Sequence, residues 1–415
     1  MERERSIAMT RAWLWMTMTM VAAGLAGCTK PESAATGVVT LTYQTIETLP
    51  VQQALHQQIV AAFEQAHPHI KIKVVYDPSK FTKLNTQLAG GSAPDVFYYV
   101  VDKLPALAKR GATRDLTSSF QEMQPDVFPE LIAPCMIDGK LMMAPFHYST
   151  DILFYNRDWF DTIGEPPPDA EGVDWDWAKF KEVSLKLARQ HNVEYGTVLP
   201  RPLLLVQSFG GALFDNDKCV VNTPESVAAL AFYRDLVKDK VAPSKAAMQE
   251  SEAFDGVNLF RAQKIGMLVG RTYMLTEFDK IDGFKWGVAP VPRGQHRRSR
   301  LSIGGHCIWA GTKHPEEAWA FVKFYSTEGA RIAASRRNAV PALVAASDAA
   351  EFPPVMKQAL TYSRLDNPWG YSFWDEFNQK SFEQTADAVT LGTLSPEDAT
   401  RTIEQLGNAL VSSPR

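Results

Sequence analysis

An α/β fold built on a largely parallel sheet is predicted by three observations. Apolar residues alternate at Val39, Leu41 and Tyr43, then recur at helical spacing at Leu55, Ile59 and Phe63. The same switch repeats from Ile70, Ile72 and Val74 to Phe81, Leu84 and Leu88. The run Asp95-Val96-Phe97-Tyr98-Tyr99-Val100 is almost wholly apolar, as a strand covered on both faces is. Alternation of this kind implies strands joined by crossover helices.

The elements follow in order. Pro68 ends the first helix, and Gly90-Gly91 stop the second. A third helix runs to Arg110 and stops at Gly111. Met142 to Tyr155 reads as a strand broken by Pro145. Gly164 to Val173 is a Pro/Gly-rich loop, and Trp175 to Gln190 a helix with Phe180, Val183 and Leu187 inward. Helical patterns recur at 224–240 and 315–326, and strand-like runs at 264–269, 286–291 and 302–310. After Ser326 the pattern is mostly helical. The basic stretch from Arg293 to Arg300 also holds His296, Arg297 and Arg298; it reads first as a solvated hairpin turn, second as a binding patch.

The N-terminus has its own logic. Arg3, Arg5 and Arg11 precede an apolar run from Ala12 to Ala26, which is shorter than the ~20 residues a membrane helix needs. A basic start, a short apolar stretch and small residues before a cut site describe a secretory signal over 1–27. Leu25-Ala26-Gly27-Cys28 resembles the lipobox of bacterial lipoproteins, with Cys28 acylated and residues 28–37 as a tether. The expected location is extracytoplasmic, anchored in the membrane through Cys28. Without residues 1–27 the chain carries 40 Lys+Arg against 45 Asp+Glu. That mildly acidic balance argues against nucleic acid as a partner. The remaining length suits two domains.

Other chemistry leaves little trace. Cys135, Cys219 and Cys307 are an odd set with no CxxC, so at least one thiol is free and disulfides do not hold the fold. Gly90-Gly91-Ser92-Ala93-Pro94 lacks the last glycine of a nucleophile elbow. There is no HExxH, P-loop or GxGxxG after a strand, and His67-Pro68-His69 is a metal pair without an obvious third ligand. No metal, cofactor or enzymatic activity is expected. The alternatives are a secreted glycoside hydrolase using two carboxylates, or an envelope scaffold lipoprotein.

The order of short motifs resembles the family 1 extracellular solute-binding proteins of ABC importers, the maltose-binding-protein-like group. Gly91-Ser92-Ala93-Pro94-Asp95-Val96 is similar to that family's G-x-x-PDV, and Gly111 to Leu116 to its G-a-l-x-DL. Leu153 to Asp158, then Gly164 and Trp175 or Trp177, resemble YN-[KR]-D…G…P-x-TW. Phe260 to Met267, Gly304-Gly305, Pro315 to Phe321, and Gly392 with Ser395-Pro396-Glu397 and Ala399 resemble later family segments. The likeness spans nearly the whole chain after Cys28, and its weight lies in the order and spacing of the motifs. It implies a periplasmic-binding-protein-like fold of type II, with two discontinuous α/β lobes joined by hinge strands. Residues 38–146 and 293–330 would form the N-terminal lobe, and 147–292 and 331–415 the C-terminal lobe. Crossings are expected near Pro145–Asp151, Gly287–Arg293 and Ser326–Arg337. The implied partners are a saccharide in the interlobe cleft and the transmembrane subunits of an ABC permease, the chain itself being a monomer.

A sugar offers apolar ring faces and a rim of hydroxyls, so its cleft needs flat aromatics and fixed polar groups. By position in the resemblance, the candidates are Tyr43, Gln44 and Glu47 after the first strand; Asp95; His147 and Tyr148 at the first crossing; and Gln207, Arg271, Tyr273, Gly305, Trp369 and Trp374. Glu47 and Asp95 read equally well as a helix-start acid and a turn cap. His147 and Tyr148 read equally as hinge packing, and Arg271 as an ion-pair partner. Arg271 departs from the family's turn. An arginine there would fork onto a carboxylate or phosphate, which suggests an acidic or phosphorylated saccharide.

Overall fold

The computed structural model describes residues 37–250, 256–337, 339–368 and 370–413. The signal segment, Cys28, the tether up to residue 36 and Trp369 lie outside them. The strands are β1 (Val39–Thr45), β2 (Ile70–Tyr76), β3 (Val96–Val100), β4 (Ala144–Asn156), β5 (Met267–Arg271), β6 (Trp286–Ala289), β7 (Ser299–Ile308), β8 (Val340–Pro341) and β9 (Ser363–Arg364). The main helices are α1 (Pro50–Ala66), α2 (Thr82–Ala89), α3 (Leu104–Lys109), α4 (Trp177–Gln190), α5 (Pro202–Phe209), α6 (Pro224–Lys238), α7 (Pro315–Phe324), α8 (Pro354–Tyr362) and α9 (Pro396–Ser412).

The alternation read from the sequence produces β1, α1, β2, α2 and β3, and β1 pairs parallel with both β2 and β3. Beyond that point the sequence pattern predicts more parallel strands, but apart from the two-residue β9, which runs parallel to β7, the pairings are antiparallel. β7 runs antiparallel to β3 and β4, and β5, β6 and β8 run antiparallel to β4. β4, 13 residues long, serves two sets of neighbours. Its first half pairs with β7 and β8, and its second half with β5 and β6. Side-chain alternation then splits its far half: Ile152 and Phe154 enter one core, Leu153 and Tyr155 a second. Pro145 lacks an N–H, and the β4–β7 register slips beside it, between Gly304 and Gly305.

Asp176 caps α4 by accepting from the Lys179 amide at 2.7 Å, and Phe180, Val183 and Leu187 face inward as expected. Residues 331–362, expected with the second lobe, touch the first: Phe128 donates to the Ala342 carbonyl at 3.1 Å, and Met356 and Leu360 share a core with Leu131. Phe373 onward packs in the second core with Phe214 and Leu230. Cys135, Cys219 and Cys307 are all buried free thiols.

Candidate functional site

The expected site residues separate into four places. Tyr43, Gln44, Glu47 and His147 belong to a polar web inside the first half. Tyr43 is fully buried, its hydroxyl 3.1 Å from His306 Nε2. Gln44 Nε2 donates to Asp77 at 2.9 Å. Glu47, 22% exposed, lies 2.9 Å from His56 Nε2. Burial works to raise its carboxyl, but the His56 hydrogen bond and the His56 and His147 charges outweigh it and hold it low. His147 Nε2 stands 3.1 Å from the Tyr98 hydroxyl with the rings stacked, and burial lowers its pKa. Only Glu47 and His147 in this group keep partial exposure.

A second set is structural. Asp95 accepts from the Thr42 amide and hydroxyl at 2.8 Å and from the Thr312 hydroxyl at 2.7 Å, which ties β1, β3 and the turn after β7 together. Tyr148 is 1% exposed and packs on Phe128. Trp374 is 6% exposed and packs on Phe377. Gly305 lets two backbones touch, since a Cβ there would sit 2.3 Å from the Ala144 carbonyl oxygen.

Arg271 and Tyr273 come together at a cavity of about 400 Å³. Asp151 on β4, Arg201 before α5, Lys245 and Glu383 complete its polar wall, and Leu204, Val269 and Met274 part of its apolar one. Arg271 is 15% exposed; its Nε donates to Ser149 Oγ at 3.1 Å and stands 3.6 Å from Asp151. Burial is the main pull lowering its pKa, and the neighbouring Arg300 and Arg201 add to it against Asp151. Tyr273 is 55% exposed at the mouth. Behind the wall runs a chain of ion pairs. Asp366 takes Arg201 at 2.7 Å and Arg300 at 3.0 Å, and Arg300 reaches Asp102 at 3.0 Å. Burial opposes the Asp366 anion, but the Arg201 and Arg300 charges prevail and keep it low. For Asp102 burial wins and its pKa rises. Gln207 lines a separate cavity with His296 and Arg298.

Sequence reasoning passed over Ser149 and Asp151 in favour of Tyr148. A period of two puts His147, Ser149 and Asp151 on one face of β4 and Tyr148 on the other, so that signal was available. Arg201, Arg300 and Asp366 gave none, because their meeting depends on three distant segments.

The family described as "Bacterial extracellular solute-binding protein" matches residues 48–332. The chain belongs to this family. An ABC substrate-binding protein of Listeria monocytogenes, solved in complex with cycloalternan, superposes on this solute-binding protein with a TM-score of 0.77, 25% identity, and coverage of 91% of this chain and 100% of that one. The arabinooligosaccharide-binding protein of Bacillus subtilis is 24% identical over 330 residues, 75% of this chain and 74% of its own. An uncharacterized lipoprotein of Streptomyces antibioticus is 26% identical over 321 residues, 72% of this chain and 69% of its own. The solute-binding protein therefore has the two-lobed α/β fold of the periplasmic binding proteins. Kinship with binding proteins does not favour the hydrolase or the scaffold. Among the described residues no helix is long and apolar enough to cross a membrane.

Proposed function

We propose that this solute-binding protein captures an uncharged saccharide in the cavity beside Arg271 and Tyr273, leaves it chemically unaltered and delivers it to an ABC permease. One observation carries the reading: a mostly exposed tyrosine ring stands beside fixed donors and acceptors that cancel in charge. Arg271 is answered by Asp151, Arg201 by Asp366, and Lys245 by Glu383 at 3.0 Å. Such a wall serves hydroxyls better than an extra anion, which would find every cation already paired. This replaces the acidic saccharide that Arg271 suggested from sequence alone. Two lobes hinged near 145–151 and 287–293 would close over the guest, and the closed state would be the signal to the permease. Similarity to an arabinooligosaccharide-binding protein and to a structure in complex with cycloalternan supports the ligand class.

Acylation at Cys28 would hold a monomer at the outer face of the cytoplasmic membrane, as the matched lipoprotein supports. Calorimetric titration with neutral oligosaccharides tests the site. Tyr273→Ala and Arg271→Ala should each weaken binding about tenfold or more. No saturable binding by the wild type, or release of cleaved product, would overturn the reading.

A further inference from the structure

The basic stretch 293–300 is only partly spent on the fold. Arg293 and Arg297 both hold Asp174, and Arg300 holds Asp102 and Asp366. His296 and Arg298 remain, and with Arg364 they line a second cavity of about 610 Å³ that shares no lining residue with the first. The β7–β9 register sets Ser299 beside Ser363 and Arg300 beside Arg364, so Arg298, one residue before that ladder, and Arg364 come from adjacent backbones.

Neither guanidinium has a carboxylate within 4 Å among the described residues. Arg364 Nη1 donates to the Ser363 carbonyl at 2.7 Å, and Arg298 Nη1 reaches the Arg297 carbonyl at 3.5 Å. These carbonyls orient the forks without neutralising them. Burial, and then the Arg364 charge, lower the Arg298 pKa, so the two cations stand near enough to repel. Glu130 is the one carboxylate lining this cavity and pairs with neither. Leu213, Phe214, Leu301 and Leu360 supply carbon walls.

We infer that this second cavity binds a small organic oxyanion, its carboxylate or phosphate held between Arg298 and Arg364 and its carbon body against those walls. Guanidinium forks match both groups bidentately, and Arg298, half-buried, and Arg364, exposed at the rim, are both open to an anion. The site is independent of the saccharide cavity.

The test is titration of the purified full-length protein with glucuronate, glucose phosphate, inorganic phosphate and glucose. Glucuronate or glucose phosphate should bind saturably and more weakly as salt rises, with glucose giving no signal at this site. The tighter of the two names the oxyanion. Arg298→Gln and Arg364→Gln should each cut that affinity about tenfold or more, while Arg271→Ala leaves it unchanged. Unaltered affinity in both glutamine variants, with thermal unfolding like wild type, would overturn the inference. So would inorganic phosphate binding as tightly as glucose phosphate, or no anion binding at all.

Discussion

The Asp366 carboxylate, 4% exposed, stands 2.7 Å from the Arg201 guanidinium and ties the C-terminal part of the chain to the start of α5. Removing that anion by Asp366→Asn leaves Arg201 without its carboxylate and Arg300 with Asp102 alone, each arginine 28% exposed. The expected cost is about 2–4 kcal/mol, reduced somewhat by the solvent that reaches both arginines. The acid limb should change too. Asp366 has a folded-state pKa below its ordinary value, so its contribution is present above about pH 4 and lost as pH falls through the lowered value. Urea midpoints between pH 3 and 7 should show a flatter acid limb in the variant; parallel limbs would refute the assignment.

His306 acts in the opposite chemical sense with the same pH direction. Burial first, then the His56 and His147 charges, hold its pKa well below 6.5, so the fold keeps it neutral. A base depressed in the folded state contributes stability above about pH 6.5 that is lost as pH falls below it. His306→Gln should therefore lose stability at pH 7, where the Tyr43 contact is gone, yet show less further loss between pH 6.5 and 5. Equal slopes for variant and wild type would contradict this.

Gly304 and Gly305 should differ in tolerance. A Cβ on Gly304 would meet the Tyr98 hydroxyl at 2.3 Å and His147 Nε2 at 2.5 Å, both ends of side chains. On Gly305 it would meet the Ala144 carbonyl oxygen at 2.3 Å, which cannot swing away. Gly304→Ala should cost about 1–3 kcal/mol and Gly305→Ala more, as thermal unfolding would measure.

Trp374→Ala should behave as a core deletion, costing about 3–5 kcal/mol with unchanged saccharide affinity in whatever fraction remains folded. Tyr273→Ala should do the reverse, weakening binding with an unfolding midpoint near wild type. An affinity loss confined to Trp374→Ala would return that tryptophan to the site.

Those last two residues show where sequence stopped informing. Both sat at aromatic positions implied by the resemblance, yet Trp374 lies inside the second core and Tyr273 at a cavity mouth. Local periodicity carries the strands and α4 well, because period two and period 3.6 reflect backbone geometry that every sequence shares. Exposure of one aromatic among many depends on what packs over it from afar. The Arg201–Asp366–Arg300 chain is of the same kind. The predicted parallel sheet fails beyond β3 for a related reason: alternation names the elements, while the direction of β7 against β3 depends on pairing between distant segments.

β4 gives its two ends to different neighbours along one uninterrupted backbone. One residue added or deleted near its middle would rotate every side chain beyond that point to the other face, turning Asp151 off its wall and Tyr155 out of its core together. Natural length variation should therefore be absent from 144–156 and gather in stretches such as 164–173, where neither ladder would notice.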